Sequence, residues 1–132
     1  MSDSLSVKQR IRKGEVIVGV RGPSNPDRTH SADRGRIEEI LSKGSYDFLW
    51  IDSQHVPFDE YRVAAVCQTA EEVGIPVLMR IKNTEHAYRI GNYLDLGLMG
   101  VEVPEVMYES TAVEAVKAFY LPPHGKRSWP GI

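Results

Sequence analysis

The sequence has one cysteine, no long apolar run and a net charge of only -2, and each shortage excludes a class of protein. The single thiol, Cys67, cannot form an internal disulfide, so we expect a reducing compartment, the cytoplasm. No stretch approaches the roughly 18 apolar residues of a membrane-spanning helix, and the N-terminal segment lacks the apolar region of a signal peptide. The mild acidity disfavours binding to nucleic acid or to an anionic membrane. We therefore expect a soluble cytoplasmic protein with neither of these partners.

Several cofactor motifs are missing as well. The sequence contains no Walker loop, no GxGxxG opening a helix and no paired CxxC, so nucleotide and zinc sites lack support. What is present is an ordinary globular composition, 42% hydrophobic and 26% charged over 132 residues. Such a chain is long enough for one core and too short for two full domains. We therefore treat residues 1–132 as part of a single domain.

Four short apolar, β-branched runs alternate with amphipathic segments. The predicted strands are Val16–Val20, Phe48–Asp52, Pro76–Arg80 and Gly100–Pro104. The predicted helices are Arg34–Lys43, a helix capped by Asp59 and stopped by Gly74, Glu85–Leu96, and Glu109–Tyr120. This alternation indicates an α/β fold with a parallel sheet covered by helices. The segment Arg21–Gly35, rich in Pro, Gly and Ser, is predicted to be a long loop of the kind that often covers a functional site.

Polar side chains follow the predicted strands at their carboxyl ends. Asp52 and His55 follow the second strand, Arg80 ends the third, and Glu105 follows the fourth. Because the carboxyl ends of parallel strands meet at one edge, we expect these side chains to lie close together. The Asp52-x-x-His55 spacing suits a carboxylate that orients an imidazole as a general base. The plainer alternative is an aspartate that caps backbone amides beside a surface histidine.

Arg80 ends an apolar strand, where a guanidinium needs an anionic partner. Its planar fork suits a carboxylate, an enolate or a phosphate. The alternative is an internal ion pair, with Glu102 on the neighbouring strand as the candidate partner. We favour a binding role because Arg80 is expected at the same edge as the Asp-x-x-His pair. Trp50 is interpreted as a packing residue, and Cys67, in the apolar stripe of its helix, as a structural thiol.

Three stretches of the chain together resemble the HpcH/HpaI aldolase family: YDFLWIDSQHVPF, IPVLMRIKNTEHAYRIGNYLDLGLMGVEVPEV and FYLPPHGKRSWPG. The resemblance runs from Tyr46 to Gly131 in the family's order and spacing. This family comprises class II, metal-dependent pyruvate aldolases on a (β/α)8 barrel, related to the citrate lyase β subunit. The resemblance implies a TIM-barrel-type α/β fold, of which residues 1–132 form the N-terminal half with about four βα units. It also implies a carbon–carbon lyase that cleaves or forms 4-hydroxy-2-keto acids through a metal-stabilised pyruvate enolate.

The resemblance further implies roles for individual residues. Arg80 matches the arginine that stabilises the pyruvate enolate. His55, together with Asp52, matches the base that deprotonates the aldol hydroxyl. Asp95 matches an aspartate near the site, and Gln54 stands where the family usually has glutamate. We therefore predict Arg80, Gln54 and Asp95 as substrate-binding residues.

A divalent cofactor and a small substrate follow from the same resemblance. Mg, Mn or Co would bind the carboxylate and keto oxygens of pyruvate, with Glu and Asp ligands beyond Ile132 and no metal ligand in this chain. The expected partners are a small 2-keto acid and further copies of the subunit in a homo-oligomer. Two alternatives stay open. One is a non-catalytic half-barrel that binds a small anion or needs a partner, because four strands leave open edges. The other is a citrate-lyase-like acyl-CoA lyase.

Overall fold

The computed structural model describes residues 5–23, 34–129 and 131, and within them the chain forms one parallel four-stranded sheet in the order β1-β2-β3-β4. The strands are β1 (Gly19–Arg21), β2 (Phe48–Asp52), β3 (Val77–Arg80) and β4 (Gly100–Glu102). The helices are α1 (Val7–Arg12), α2 (Arg34–Leu41), α3 (Glu60–Val73), α4 (Ile90–Asp95) and α5 (Glu109–Phe119), with a 3-10 helix (Thr84–Arg89) leading directly into α4. No helix of the described residues is long and apolar enough to cross a membrane. The predicted alternation of strands and helices is confirmed.

The bounds of α2, β3, β4 and α5 differ from the predicted ones by one or two residues, and α1 was not predicted; β1 and the predicted helix Glu85–Leu96 differ more. β1 begins at Gly19 rather than Val16. Val16 is 84% exposed. The Val18 amide donates a hydrogen bond to the Asp47 side chain, and the Val18 carbonyl accepts one from the Asp47 amide. The predicted helix Glu85–Leu96 begins as a 3-10 helix, in which the His86 amide donates to the Asn83 carbonyl three residues earlier and the Asn83 side chain caps the same amide. Most of the predicted long loop, residues 24–33, lies outside the described residues, so that loop stays a prediction.

Capping residues mark both ends of α3, the helix that follows β2. Asp59 is the N-cap, and its side chain accepts a hydrogen bond from the Arg62 amide at 2.8 Å. Gly74 ends the helix in the left-handed conformation, with φ 87°, which only glycine adopts without steric cost. Between the caps the buried face includes Cys67, and burial raises the pKa of this thiol to about 11. A thiol that stays protonated at neutral pH agrees with the structural role predicted for it.

Alternation along the strands gives the sheet two unlike faces. The helix-covered face carries side chains that are at most 2% exposed, namely Leu49, Ile51, Val77 and Met79. The opposite face, called here the open face, carries Phe48, Trp50 and Asp52 of β2, Leu78 and Arg80 of β3, and Glu102 of β4. Its large apolar members, Phe48, Trp50 and Leu78, are only half-buried. The core therefore lies on the helix side, and the polar residues at the carboxyl edge lie on the open face.

Candidate active site

The register of the sheet places three charged residues side by side at its carboxyl edge. Asp52 pairs with Arg80 in the alignment of β2 with β3, and Arg80 pairs with Glu102 in the alignment of β3 with β4. Each residue is the last of its strand, so the three side chains leave the same face of the sheet at the same height. The gathering expected from parallel strands is thus seen for Asp52 and Arg80, and Glu102, which was not predicted in this group, lies beside them.

Arg80 is bound to Asp52 by two parallel hydrogen bonds. Its Nε donates to Oδ1 at 3.0 Å, and its Nη2 donates to Oδ2 at 2.6 Å. The Asp52 side chain is 3% exposed and the Arg80 side chain 23%. The guanidinium carbon also lies 5.0 Å from the centre of the Trp50 ring. One edge and one face of the guanidinium are therefore occupied, and Nη1 has no hydrogen-bond partner among the described residues.

Asp52 is held in its charged form. Hydrogen bonding by Arg80 is the largest cause that lowers its pKa below 3.8, and the backbone amides of Gln54 and His55 lower it further against the effect of burial. The Asp52 carboxylate reciprocally raises the pKa of Arg80. No hydrogen bond of the described residues joins the Asp52 carboxylate to the His55 imidazole; its oxygens accept hydrogen bonds from Arg80 and from the Gln54 amide. The predicted contact between carboxylate and imidazole is therefore corrected: Asp52 caps backbone amides, and His55 is exposed beside it.

We expect Asp52→Asn to lower the free energy of unfolding by about 1–3 kcal/mol at neutral pH, because the amide cannot replace the charged acceptor of the two Arg80 hydrogen bonds. The folded-state pKa of Asp52 is depressed, so this stabilisation is complete above the ordinary pKa of 3.8 and is lost as pH falls through the folded-state pKa. Urea unfolding of both proteins between about pH 7 and about pH 2 measures the difference.

The matched control for this prediction is Glu71→Gln, which changes an exposed carboxylate on α3 that forms none of the ion pairs found among the described residues. We expect it to leave the free energy of unfolding nearly unchanged. A stability difference between the wild type and Asp52→Asn that does not shrink in acid would contradict the role assigned to the carboxylate.

Glu102 binds Trp50 rather than Arg80, which corrects the proposed Arg80–Glu102 ion pair. Its Oε2 accepts a hydrogen bond from Trp50 Nε1 at 2.9 Å. The charge of Glu102 still raises the pKa of Arg80, after the larger effect of Asp52. Trp50 is thus more than the packing residue predicted for it. It joins the charged residues of this edge.

Gln54 forms a hydrogen bond with Glu105 at the same edge of the sheet. Its Nε2 donates to Glu105 Oε2 at 3.4 Å, a long hydrogen bond. Glu105 follows β4 and has a φ of 53°, in the left-handed region that residues other than glycine rarely adopt. The turn after β4 therefore directs this carboxylate towards the turn after β2, and Gln54 lies with the other predicted site residues.

Asp95 lies at the opposite end of the sheet. It ends α4, which runs back from the carboxyl edge to the start of β4, and its Oδ1 accepts a hydrogen bond from Arg127 Nη2 at 2.7 Å. The two residues after it line a cavity with Gly74 and Pro76, which precede β3. Asp95 does not join the Asp52–Arg80 cluster within this chain, because the helices of a parallel α/β fold run opposite to the strands. Its substrate-binding role stays a prediction that this cluster does not support.

The described residues include no group of three His, Cys, Asp or Glu side chains that could hold a metal ion. Asp52 uses both oxygens on Arg80, and Glu102 uses one oxygen on Trp50. His55 has no carboxylate partner among the described side chains. These residues do not fit the oxygen-rich shell that a divalent ion such as Mg²⁺ requires.

Arg21 is a residue of the open face that the sequence analysis missed. It is the last residue of β1, aligned with Trp50, and its guanidinium carbon lies 5.9 Å from the centre of the Trp50 ring. The predicted strand stopped at Val20, so Arg21 was assigned to the loop. The signal that identifies it is the alternation of side chains: Arg21 lies two residues after Gly19, on the face opposite to Val20.

Known proteins share both the sequence and the fold of this chain, although no family model matches it. The 2-keto-3-deoxy-L-rhamnonate aldolase of Escherichia coli (strain K12) is 31% identical over 124 residues, which cover 91% of this chain and 42% of that protein. The crystal structure of the citrate synthase SbnG aligns with a TM-score of 0.78 at 32% identity and covers 96% of this chain and 48% of that one. The HpcH/HpaI aldolase from Desulfitobacterium hafniense DCB-2 aligns with a TM-score of 0.75 at 25% identity over 97% of this chain and 46% of that one.

The chain thus spans about half the length of the relatives it matches. Their similarity covers nearly all of the sequence, and the two structures reproduce its parallel strands and helices. The predicted TIM-barrel-type α/β fold is confirmed, with four parallel strands described here. These similarities of sequence and structure confirm the resemblance of the chain to the HpcH/HpaI aldolase family.

Proposed function

We propose that the protein is a carbon–carbon lyase that cleaves or forms 4-hydroxy-2-keto acids through a pyruvate enolate. The observation that carries this proposal is the set of hydrogen bonds made by the Arg80 guanidinium. Asp52 holds one edge of its guanidinium, and no side chain or backbone group of the described residues accepts a hydrogen bond from its Nη1. A preorganised guanidinium stabilises the negative charge that develops on an enolate oxygen. The aldolase names of two relatives support the same reaction class.

In the cleavage direction, a base takes the proton of the C4 hydroxyl, C4 becomes the aldehyde carbonyl as the C3–C4 bond breaks, and the electron pair of that bond forms the enolate, which then takes a proton at C3 to give pyruvate. We assign the enolate to Arg80 and the proton transfer to His55. Asp52 supports both residues, since it binds the guanidinium directly and the turn of His55 through backbone amides. Gln54, on the same turn, is assigned to the bound substrate. The divalent cofactor, Mg, Mn or Co, stays a prediction, and the described residues offer no site for it. The homo-oligomer and the cytoplasmic location also stay predictions.

Release of pyruvate tests the proposal. The complete protein is assayed with 4-hydroxy-2-keto acids and Mg²⁺, Mn²⁺ or Co²⁺. A 2-keto-3-deoxy sugar acid is the first choice of substrate, because the relative from Escherichia coli is named for one. We expect pyruvate and an aldehyde in equal amounts. The absence of turnover with every metal would overturn the proposal, and cleavage of acyl-CoA substrates instead would favour the citrate-lyase-like alternative.

A second candidate function is suggested by the open face of the sheet. β1 and β4 are the edge strands of the described sheet, and Phe48, Trp50 and Leu78 are only half-buried between them. Unpaired edges and uncovered apolar side chains favour association. The second candidate is therefore a non-catalytic half-barrel that binds a second copy of the chain across this face. Light scattering of the 132-residue chain should then show a dimer without lyase activity, whereas a monodisperse monomer would rule this candidate out.

A further inference from the structure

We propose that Trp50 and Glu102 are positioning residues for Arg80, and that they hold its guanidinium ready for the carboxylate and keto oxygens of a small 2-keto acid. The identity of the ligand rests on the proposed function. The positioning itself rests on the contacts among the four side chains Glu102, Trp50, Arg80 and Asp52.

Three contacts connect these side chains in series. Glu102 accepts a hydrogen bond from Trp50 Nε1 at 2.9 Å, the Trp50 ring lies 5.0 Å from the guanidinium carbon of Arg80, and Arg80 binds Asp52 through two hydrogen bonds. Trp50 and Asp52 are two residues apart on β2, so both lie on the open face. Strand register aligns Asp52, Arg80 and Glu102, which places the first and last members of the series within reach of the same arginine.

The two partners of Arg80 constrain different motions of its side chain. Asp52 binds the edge formed by Nε and Nη2, which leaves the guanidinium free to tilt about that edge. The indole ring covers one face of the guanidinium and limits this tilt by cation–π attraction. The second edge, formed by Nη1 and the remaining N–H of Nη2, is thereby held in one direction. That edge can donate to two oxygens at once, here a carboxylate oxygen and the neighbouring keto oxygen on which the enolate charge develops.

Glu102 acts on Arg80 through Trp50. The indole is half-buried among the described residues. The hydrogen bond from its Nε1 to Glu102 constrains the orientation of the ring. The negative charge of Glu102 also favours the charged guanidinium of Arg80.

A purely structural role fits these residues less well. The core lies on the other face of the sheet, where Leu49 and Ile51, the neighbours of Trp50 on β2, are at most 1% exposed. Glu102 is exposed and contributes nothing to that core. Both residues instead make contacts that lead towards the Arg80 guanidinium, whose Nη1 has no hydrogen-bond partner among the described residues.

Nuclear magnetic resonance of the Arg80 side chain tests the positioning without any turnover. In the wild type, the Trp50 ring should move the Arg80 δ-proton signals upfield, and Arg80→Lys identifies those signals by their loss. We expect Trp50→Leu and Glu102→Leu to remove most of the upfield displacement. Glu102→Gln should retain it, because the amide oxygen still accepts a hydrogen bond from Nε1.

The matched control is Glu60→Leu. Glu60 forms an ion pair with Arg89, and Arg89 lies over the Tyr93 ring at 5.2 Å, so the chain contains a second carboxylate–arginine–aromatic set away from the open face. Replacing Glu60 by leucine should leave the Arg80 signals unchanged. Arg80 signals that are the same in the wild type, Trp50→Leu and Glu102→Leu would overturn the proposal. If Trp50→Leu does not fold, Glu102→Leu and its rescue by glutamine decide the question.

Kinetics of the complete protein provide the second measurement. We expect Trp50→Leu and Glu102→Leu to raise KM for the keto acid about tenfold with a smaller change in kcat, and Glu102→Gln to stay close to the wild type. Melting temperatures measured in parallel separate this effect from a loss of folding. Wild-type KM values in both leucine variants would contradict the role in ligand binding. Arg80 signals that respond as expected in a protein without any aldolase turnover would instead contradict the proposed function and leave the positioning intact.

Discussion

We expect Arg80→Ala to lower kcat for pyruvate release by about 10²- to 10³-fold in the complete protein, the loss typical of removing one preorganised donor to a developing oxyanion. The guanidinium is held by Asp52 at 2.6 and 3.0 Å, so it is oriented before the substrate arrives. Arg80→Lys should recover only part of the rate, because an ammonium keeps the charge and loses the planar fork. Steady-state assays of pyruvate release measure both variants.

Arg10→Ala is the matched control for this prediction. Arg10 binds Asp47 at 2.6 Å, directly before β2, as Arg80 binds Asp52 at the end of the same strand. The two arginine side chains are similarly exposed, 30% for Arg10 and 23% for Arg80. We expect Arg10→Ala to keep the wild-type rate. Equal losses in both variants would show that ion pairs at either end of β2 act only through folding, and an unchanged rate in Arg80→Ala would remove Arg80 from the proposed mechanism.

The second large effect is expected for Ile51→Ala, with a loss of about 2–5 kcal/mol in the free energy of unfolding. Ile51 is 1% exposed and packs with Leu49, Val77 and Met79 on the helix-covered face of the sheet. Truncation removes three carbon atoms and leaves a cavity that close-packed neighbours fill only in part. Urea or guanidinium unfolding, followed by circular dichroism, measures the change.

Two comparisons make the prediction specific to one face of the sheet. Leu78→Ala, on the open face, should cost less, because Leu78 is only half-buried. Val16→Ala, at a position that is 84% exposed, should change the free energy of unfolding by no more than about 0.5 kcal/mol. A loss for Leu78→Ala that equals or exceeds the loss for Ile51→Ala would mean that the open face is covered in solution, as the second candidate function requires.

Local sequence alone determined most of the secondary structure. Asp59 and Gly74 mark the two ends of α3 by a side-chain cap and a left-handed turn, which depend on residues within one helical turn of each end. The apolar run Phe48–Asp52 is a strand with the predicted bounds. The location of Asp52 and Arg80 at one edge also followed from sequence, because parallel βα units place all carboxyl strand ends together.

Only the tertiary structure decided which side chains bind one another. The spacing of Asp52 and His55 suggested a local pair, yet Asp52 binds Arg80, 28 residues away, because the alignment of β2 with β3 places the two side chains together. The same dependence on register explains why Glu102 binds Trp50, 52 residues away, and why Asp95 lies at the other end of the sheet with Arg127. Periodicity along a chain reports which face a residue occupies, whereas its partners on that face are determined by the register between strands, which is not encoded in any single segment.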